Sequence, residues 1–425
     1  MHQELSNFAA RLRETISFGG HCFVNAPIDQ GSGEALLSTC GDDAIFNQCA
    51  LDLFALQFKH NGAYRKICAA RGLTPETAGH WTQIPAVPTT AFKELELSCI
   101  PRDQRTAVFH SSGTTKQKPS RHFHCRESLE LYEASLWPWF GQNAFANSKF
   151  KIQNSKLVIL TPPPVQAPHS SLVHMFETVR RNMGGASVPA SPSEFVGTVI
   201  SDGSWILHFD TVIAALNSSL VTRHPSLLLG TAFSFVHLLD LLDEHDLRFR
   251  LPQGSRVMET GGYKNRSRAM PKEELHTLIT DRLGVPDEDI ICEYGMSELS
   301  SQAYAVTSDE WRVARNSKSS RHLSPVNYRF QFPPWARVQI ISPETGCEVA
   351  DGETGLVRIF DLANVFSVIA VQTEDLGIRR GDGFELIGRA QHSDPRGCSL
   401  MMNELLASAL SPLSGERVAE GRVRG

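Results

Sequence analysis

The chain has 425 residues, 41% hydrophobic and 20% charged, the balance of a soluble globular protein with room for two or three domains or lobes. A formal net charge of -5 argues against a nucleic-acid binder, which needs a basic surface to neutralise phosphate. The N-terminus lacks a basic segment followed by an apolar one, and the most apolar window, Ser226 to Leu242, is short for a bilayer and carries His237 and Asp240. A cytoplasmic location without a membrane span is therefore expected. Nine cysteines, an odd number with no Cys-x-x-Cys pair, point to reduced thiols in a reducing compartment and to no zinc cluster.

In chain order, residues 1 to about 80 read as mostly helical, because Ile45, Phe46, Leu51, Phe54, Leu56, Phe58, Tyr64 and Ile67 recur closer to a helical than to an alternating period. Gly62 is expected to divide that stretch into two helices. The proline-punctuated run Ile84 to Lys93 predicts an extended connector. From about 105 to 375, short apolar runs alternate with helical patterns, the signature of α/β layering. Strands are predicted at 107–109, 156–160, 226–229, 256–259 and 289–292, and helices at 172–183, 233–243 and 272–283. A second β-rich section starts near Ala336, with runs at 338–341 and 355–360.

Four segments carry chemistry. In Phe109-His-Ser-Ser-Gly-Thr-Thr-Lys-Gln-Lys-Pro-Ser120, the hydroxyls of Ser111, Ser112, Thr114 and Thr115 surround Gly113 and precede Lys116 and Lys118. Backbone N–H groups, hydroxyls and ammoniums together suit a polyphosphate, although the same residues would equally suit a solvated turn. The spacing is not that of a Walker loop. Glu293-Tyr-Gly-Met-Ser-Glu298 follows an apolar run, so Tyr294, Gly295, Ser297 and Glu298 would stand at the carboxyl edge of a sheet, where α/β ligand sites form. There a tyrosine ring could pack on a purine and a carboxylate could hold Mg²⁺, or the hexapeptide could be a surface turn around a core tyrosine. Met258-Glu-Thr-Gly-Gly-Tyr-Lys264 repeats the strand-into-glycine pattern, with Gly261 and Gly262 permitting close backbone approach and Lys264 able to meet an anion. Thr373-Glu-Asp-Leu-Gly377 offers Asp375 to ribose hydroxyls, with Arg389 downstream; the Arg379 to Phe384 segment between them reads as a tight hairpin.

Their order and separation resemble the ANL adenylate-forming superfamily: SSGTTKQKPS is similar to its phosphate loop, EYGMSE to its Tyr-Gly-x-Ser/Thr-Glu motif, and TEDLG with the later Gly-Arg to its ribose and hinge motifs. Within it, the connector IPAVPTTAFK, the segment SSLVHM, the GGYK turn and Arg396-Gly-Cys-Ser399 resemble the LuxE-type acyl-protein synthetases. The likeness implies an ANL-like adenylation core, an α/β fold with a helical N-terminal lead-in and a truncated C-terminal lobe. The expected division is 1–104 lead-in and connector, 105–375 adenylate-forming core, and 376–425 short C-terminal lobe.

The resemblance also implies the chemistry. ATP would activate a fatty or other organic acid as acyl-adenylate, with transfer to a protein thiol. Ser111, Ser112, Gly113, Thr114, Thr115 and Lys118 would hold phosphates, Tyr294 would pack on adenine, Ser297 would contact phosphate, Glu298 would bind Mg²⁺ and Asp375 the ribose. Cys398, the cysteine of the tail, with Arg396 nearby, would accept the acyl group. The stretch from Ala390 to Gly425 contains no lysine, whereas the superfamily's C-terminal domain supplies one, so Lys264 is the candidate substitute. Acceptors in view are a reductase, a carrier protein or CoA. The rival readings are a ligase that passes the adenylate directly to CoA or a carrier, and a nucleotide- or acyl-adenylate-binding protein without turnover.

Overall fold

The computed structural model describes residues 2–17, 42–111, 118–145, 155–184, 195–261, 270–306 and 328–390. The expected two N-terminal helices are present as α2 (Asp42–His60) and α3 (Gly62–Ala70), after an earlier α1 (Gln3–Ser17). Asn61 ends one and starts the other: its side-chain oxygen accepts from the Tyr64 N–H and caps α3. The proline-rich connector is extended only in part. Val87–Pro88 forms a short strand, β1, whose pairing ends as the Thr89 N–H bonds the Gln372 carbonyl; Ala91–Glu94 then forms a helix, α4, closed by local bonds from the Phe92, Lys93 and Leu95 N–H groups to the Thr89, Thr90 and Ala91 carbonyls.

The α/β section follows as β2 (Ala107–His110), β3 (Arg121–His124), α5 (Arg126–Phe145), β4 (Lys156–Ile159), α6 (Ser171–Gly184), β5 (Gly197–Val199), β6 (Trp205–Leu207), α7 (Phe209–Thr222), β7 (Ser226–Thr231) and α8 (Ala232–Glu244). It continues through β8 (Arg256–Thr260), α9 (Lys272–Leu283), β9 (Ile290–Tyr294), β10 (Ala303–Val306), β11 (Arg329–Gln331), β12 (Ala336–Ile341), β13 (Thr354–Asp361), β14 (Ala370–Arg380) and β15 (Gly383–Arg389). Residue 375, the expected end of the core, lies inside β14. The hairpin read at Arg379 to Phe384 is the turn between β14 and β15.

Among the described residues, one sheet runs in the order β12-β13-β14-β15-β11-β10-β9-β8-β7-β4, with β1 beside the first half of β14. The β4, β7, β8 and β9 sector is parallel, and the remaining neighbours along that path are antiparallel. The parallel strands are buried on both faces, which is why they read as continuous apolar runs. Leu228, Val257 and Ile290 face α7, α8 and α9, while Leu227, Leu229, Met258 and Ile291 face α5 and α6.

The N-terminal helices share their core with the antiparallel half of the sheet, as Leu5, Phe8, Phe46, Leu53 and Phe54 join Val357, Ile359, Phe360 and Val371 in one cluster. Buried Gln57 reinforces the join. Its amide donates to the carbonyls of Asn364 and Val365 at 2.8 and 3.1 Å, and its oxygen accepts from the Ile369 N–H at 2.8 Å. Replacing Gln57 by Leu strands three buried backbone groups and is expected to cost about 2–4 kcal/mol. Urea unfolding checks this; a midpoint equal to wild type would show that the helices are not held through Gln57.

Candidate functional site

The site lies at the carboxyl ends of β8 and β9, where the sheet changes from parallel to antiparallel pairing. The β2–β3 hairpin brings Ser111 and Ser120, which flank the hydroxyl-rich segment in sequence, to this edge. The Ser120 N–H donates to Ser111 Oγ at 3.0 Å. Ser112, Gly113, Thr114 and Thr115 fall outside the described residues. Ser120 Oγ stands 3.5 Å from Ser297 Oγ, and Ser297 Oγ donates to Glu298 Oε2 at 2.9 Å. Lys118 points to the rim, 3.2 Å from Glu94, with both side chains about half exposed at 52% and 51%.

On the other side of the same loop, Tyr294 Oη donates to Asp375 Oδ2 at 2.9 Å. Cross-strand register places Asp375 opposite Arg389, whose guanidinium lies 3.6 Å from it. Burial pushes the Asp375 carboxyl above its usual range, against the opposing pull of the Tyr294 hydroxyl and Arg389. The Tyr294 ring is buried against Phe330, Phe332 and Phe384, with centroids 6.0, 6.3 and 5.3 Å away. The fold thus brings together Ser111, Ser297 and Glu298 on one flank, and Tyr294, Asp375 and Arg389 on the other. Gly262, Lys264 and Cys398 lie outside the described residues, while Gly261 has a φ of +73°, which explains a glycine there.

Glu298 is 4% exposed. Among the described residues no Lys, Arg or His side chain forms an ion pair with it, and its Oε2 accepts from the Ser297 hydroxyl, which Ser120 Oγ approaches at 3.5 Å. A buried carboxylate beside hydroxyl oxygens, with no counter-cation among the described residues, suits a hard divalent ion such as Mg²⁺.

Several residues here were not singled out from sequence. Asp361, fully buried at the end of β13, accepts from the N–H groups of Ser300, Ser301 and Ala363 and from the Ser301 hydroxyl, at 2.8–3.0 Å. Asn364 donates to the Glu298 carbonyl at 2.9 Å. An Asp closing a strand three residues before an Asn is the local signal of such a turn, but nothing local tells which distant loop it holds. Glu293 is buried on the opposite face from Tyr294, accepts the Thr260 hydroxyl, and curls beneath Gly295, where any Cβ would collide with its Oε1.

Beside Tyr294's face of the sheet lies a second buried cluster. Glu259, His276 and Cys292 bring ligand atoms within 4.8 Å of one another, a donor set that could suit a metal. The Lys272 ammonium already sits 2.9 Å from Glu259 Oε1, while His276 Nδ1 is 2.6 Å from the Tyr328 hydroxyl and 3.3 Å from Asp287. Burial opposes charge on Glu259, yet Lys272 and His276 outweigh it and hold the carboxyl low. The cluster is neutralised from within by protein cations.

Burial, with a smaller push from Glu259, raises the Glu293 carboxyl from 4.5 to about 7. Because the folded value exceeds the unfolded one, the stability associated with the protonated form is lost as pH rises from about 4.5 through about 7. Glu293→Gln, which mimics the protonated acid, should therefore gain on wild type by about 3 kcal/mol across that window. Urea melts at about pH 5 and pH 8 measure the gap; one that stays constant would place Glu293 in the ordinary carboxylate range.

A sequence model of the LuxE acyl-protein synthetases matches residues 33–130 and 185–407. The long-chain-fatty-acid–luciferin-component ligase of Aliivibrio fischeri is 23% identical over 374 residues, spanning 85% of this chain and 89% of its own. Its Vibrio harveyi counterpart is 23% identical over 360 residues, spanning 83% and 85%. Among solved structures, 2-hydroxyisobutyryl-CoA ligase in an open conformation, in complex with 2-HIB-AMP and CoA, superposes with a TM-score of 0.55 at 12% identity, covering 83% of this chain and 71% of that one. The structural likeness carries the fold alone, and the family match spans α2, α3 and the loops of the candidate site. The chain belongs to the LuxE family of acyl-protein synthetases.

Proposed function

We propose that this chain activates a long-chain fatty acid with ATP as the acyl-adenylate and then captures the acyl group on Cys398. As a family member it is an adenylate-forming acid–thiol ligase. The observation that best supports the finer reading is the run of contacts from Ser111 through Ser120 and Ser297 to Glu298, ending beside the Tyr294–Asp375 hydrogen bond. A nucleotide laid across this edge would meet hydroxyls and N–H groups at its phosphates and a carboxylate at its ribose.

In the first step a substrate carboxylate oxygen attacks the α-phosphorus, an acyl–phosphate bond forms, and the α–β bond breaks with its electron pair leaving on pyrophosphate. Positioning and charge neutralisation carry this step, since no protein nucleophile takes part. In this reading Ser111 to Thr115 and Lys118 hold the departing phosphates. The Lys118–Glu94 pair is exposed and worth ~0–1 kcal/mol, so the ammonium can be redirected cheaply. Glu298 would hold Mg²⁺, which supplies charge neutralisation at the phosphates. Lys264 is the proposed further cation. In the second step the Cys398 thiolate attacks the acyl carbonyl, a C–S bond forms, and AMP leaves with the electrons of the broken C–O bond.

Acid-dependent exchange of labelled pyrophosphate into ATP, across fatty, aryl and amino acids, tests the first step. Fatty acids should support exchange best, and no exchange with any acid would favour a binding protein without turnover. Cys398→Ser should leave exchange within about twofold of wild type while abolishing protein-bound acyl label. Label persisting on that variant would move the acceptor elsewhere, and label appearing only on added CoA would favour direct transfer. Asp375→Ala should raise the KM for ATP by about tenfold or more, the loss expected for a charge-assisted hydrogen-bond pair; an unchanged KM would remove Asp375 from the nucleotide site.

A further inference from the structure

We infer that His122 is a positioning residue of the adenylation step, whose imidazole sets the spacing between the β2–β3 hairpin and the loop carrying Ser297 and Glu298. The inference rests on the adenylation reading above and adds a residue outside every motif that led to it.

His122 lies on β3, two residues beyond Ser120, and is 3% exposed. Its Nδ1 is 2.8 Å from the Ser297 carbonyl oxygen. A carbonyl only accepts, so Nδ1 carries the hydrogen and the ring is held in that tautomer. Two described contacts tie the β2–β3 hairpin to Ser297, this one and the 3.5 Å approach of Ser120 Oγ to Ser297 Oγ; the His122 bond is the shorter. It also acts on the backbone of the residue whose hydroxyl bonds Glu298, so its effect passes to both side chains.

The ring's surroundings suit a fixed spacer. Phe92 from α4 meets it edge-on at 6.3 Å, and the His124 ring lies 4.3 Å away. Burial pushes the His122 imidazole down to about 4, and burial likewise holds His124 well below its usual value, so neither ring charges near neutral pH. A neutral ring with two restricted torsions, committed to one carbonyl, holds the β2–β3 hairpin and the Ser297 loop at a set separation without adding charge beside the phosphates. Loss of that bond would leave the Ser297 carbonyl without a donor among the described residues, and a shift of about 1 Å in such a constellation can cost about 100-fold in rate.

The test compares His122→Phe, which keeps a buried ring but has no donor, with His122→Asn, which keeps an N–H at similar reach. Each is assayed for pyrophosphate exchange, for acyl transfer from the supplied adenylate of an acid that wild type accepts, and for thermal melting. His122→Phe should lose about 30- to 100-fold in the kcat of exchange, keep transfer from supplied adenylate within about threefold, and be largely rescued in His122→Asn. Equal losses in both half-reactions, or full exchange by His122→Phe, overturn the positioning role. Should the Phe variant unfold, the Asn variant decides: exchange near wild type sustains the role, and parallel loss of both half-reactions overturns it. Wild-type protein inactive in exchange overturns the adenylation reading itself, an outcome visible before any variant is made.

Discussion

The site depends on one buried carboxylate, Asp361. It takes three backbone N–H groups and one hydroxyl from Ser300, Ser301 and Ala363, so the loop leaving Glu298 is fastened to the end of β13. Burial raises this carboxyl to about 6 even with those donors in place. A buried carboxylate is tolerated only when its lone pairs are satisfied, and here the donors are the backbone of the loop itself. Asn364 and Gln57 extend the same network, the first to the Glu298 carbonyl and the second to α2, so the N-terminal helices take part in holding the site.

The two faces of β8 and β9 divide the remaining work. Toward α9, Glu259, Lys272, His276 and Cys292 form a charge-balanced interior next to the aromatic group around Tyr294. Toward α5, Thr260, Glu293 and Tyr304 lie in one cross-strand row, and the Tyr304 hydroxyl is buried without a hydrogen-bond partner among the described residues. Alternation along a strand places neighbours such as Cys292 and Glu293 in these different environments, one thiol beside protein cations and one carboxyl that burial keeps near neutrality.

Much of the parallel sector was legible because fully buried strands are written as apolar runs, as in Ser226 to Leu229, and because strands feeding glycine turns mark the edge where the candidate site lies. Less was legible where burial is general. In α5, apolar residues such as Leu131, Leu136, Trp137 and Phe140 are spread around the helix and Pro138 sits inside it, which blurs the helical period. The extended reading of Ile84 to Lys93 missed α4, because the prolines that favour extended backbone end at Pro88 and the residues after Thr89 close a local turn instead. His122 gave no signal, since Arg-His-Phe-His alternates as any half-buried strand does.

What the chain determines locally is the set of turns and their chemistry: hydroxyls around Gly113, a glycine after Tyr294, and an aspartate in Thr-Glu-Asp-Leu-Gly. Only the tertiary structure decides which of these meet. Tyr294 reaches Asp375 across 81 positions of sequence, and Asp375 faces Arg389 because of the β14–β15 register. A one-residue slip would send Asp375 to the opposite face of the sheet. Sheet order and register are collective results of burying the apolar faces of many segments at once, so the partners of a carboxylate are not written beside it in the chain.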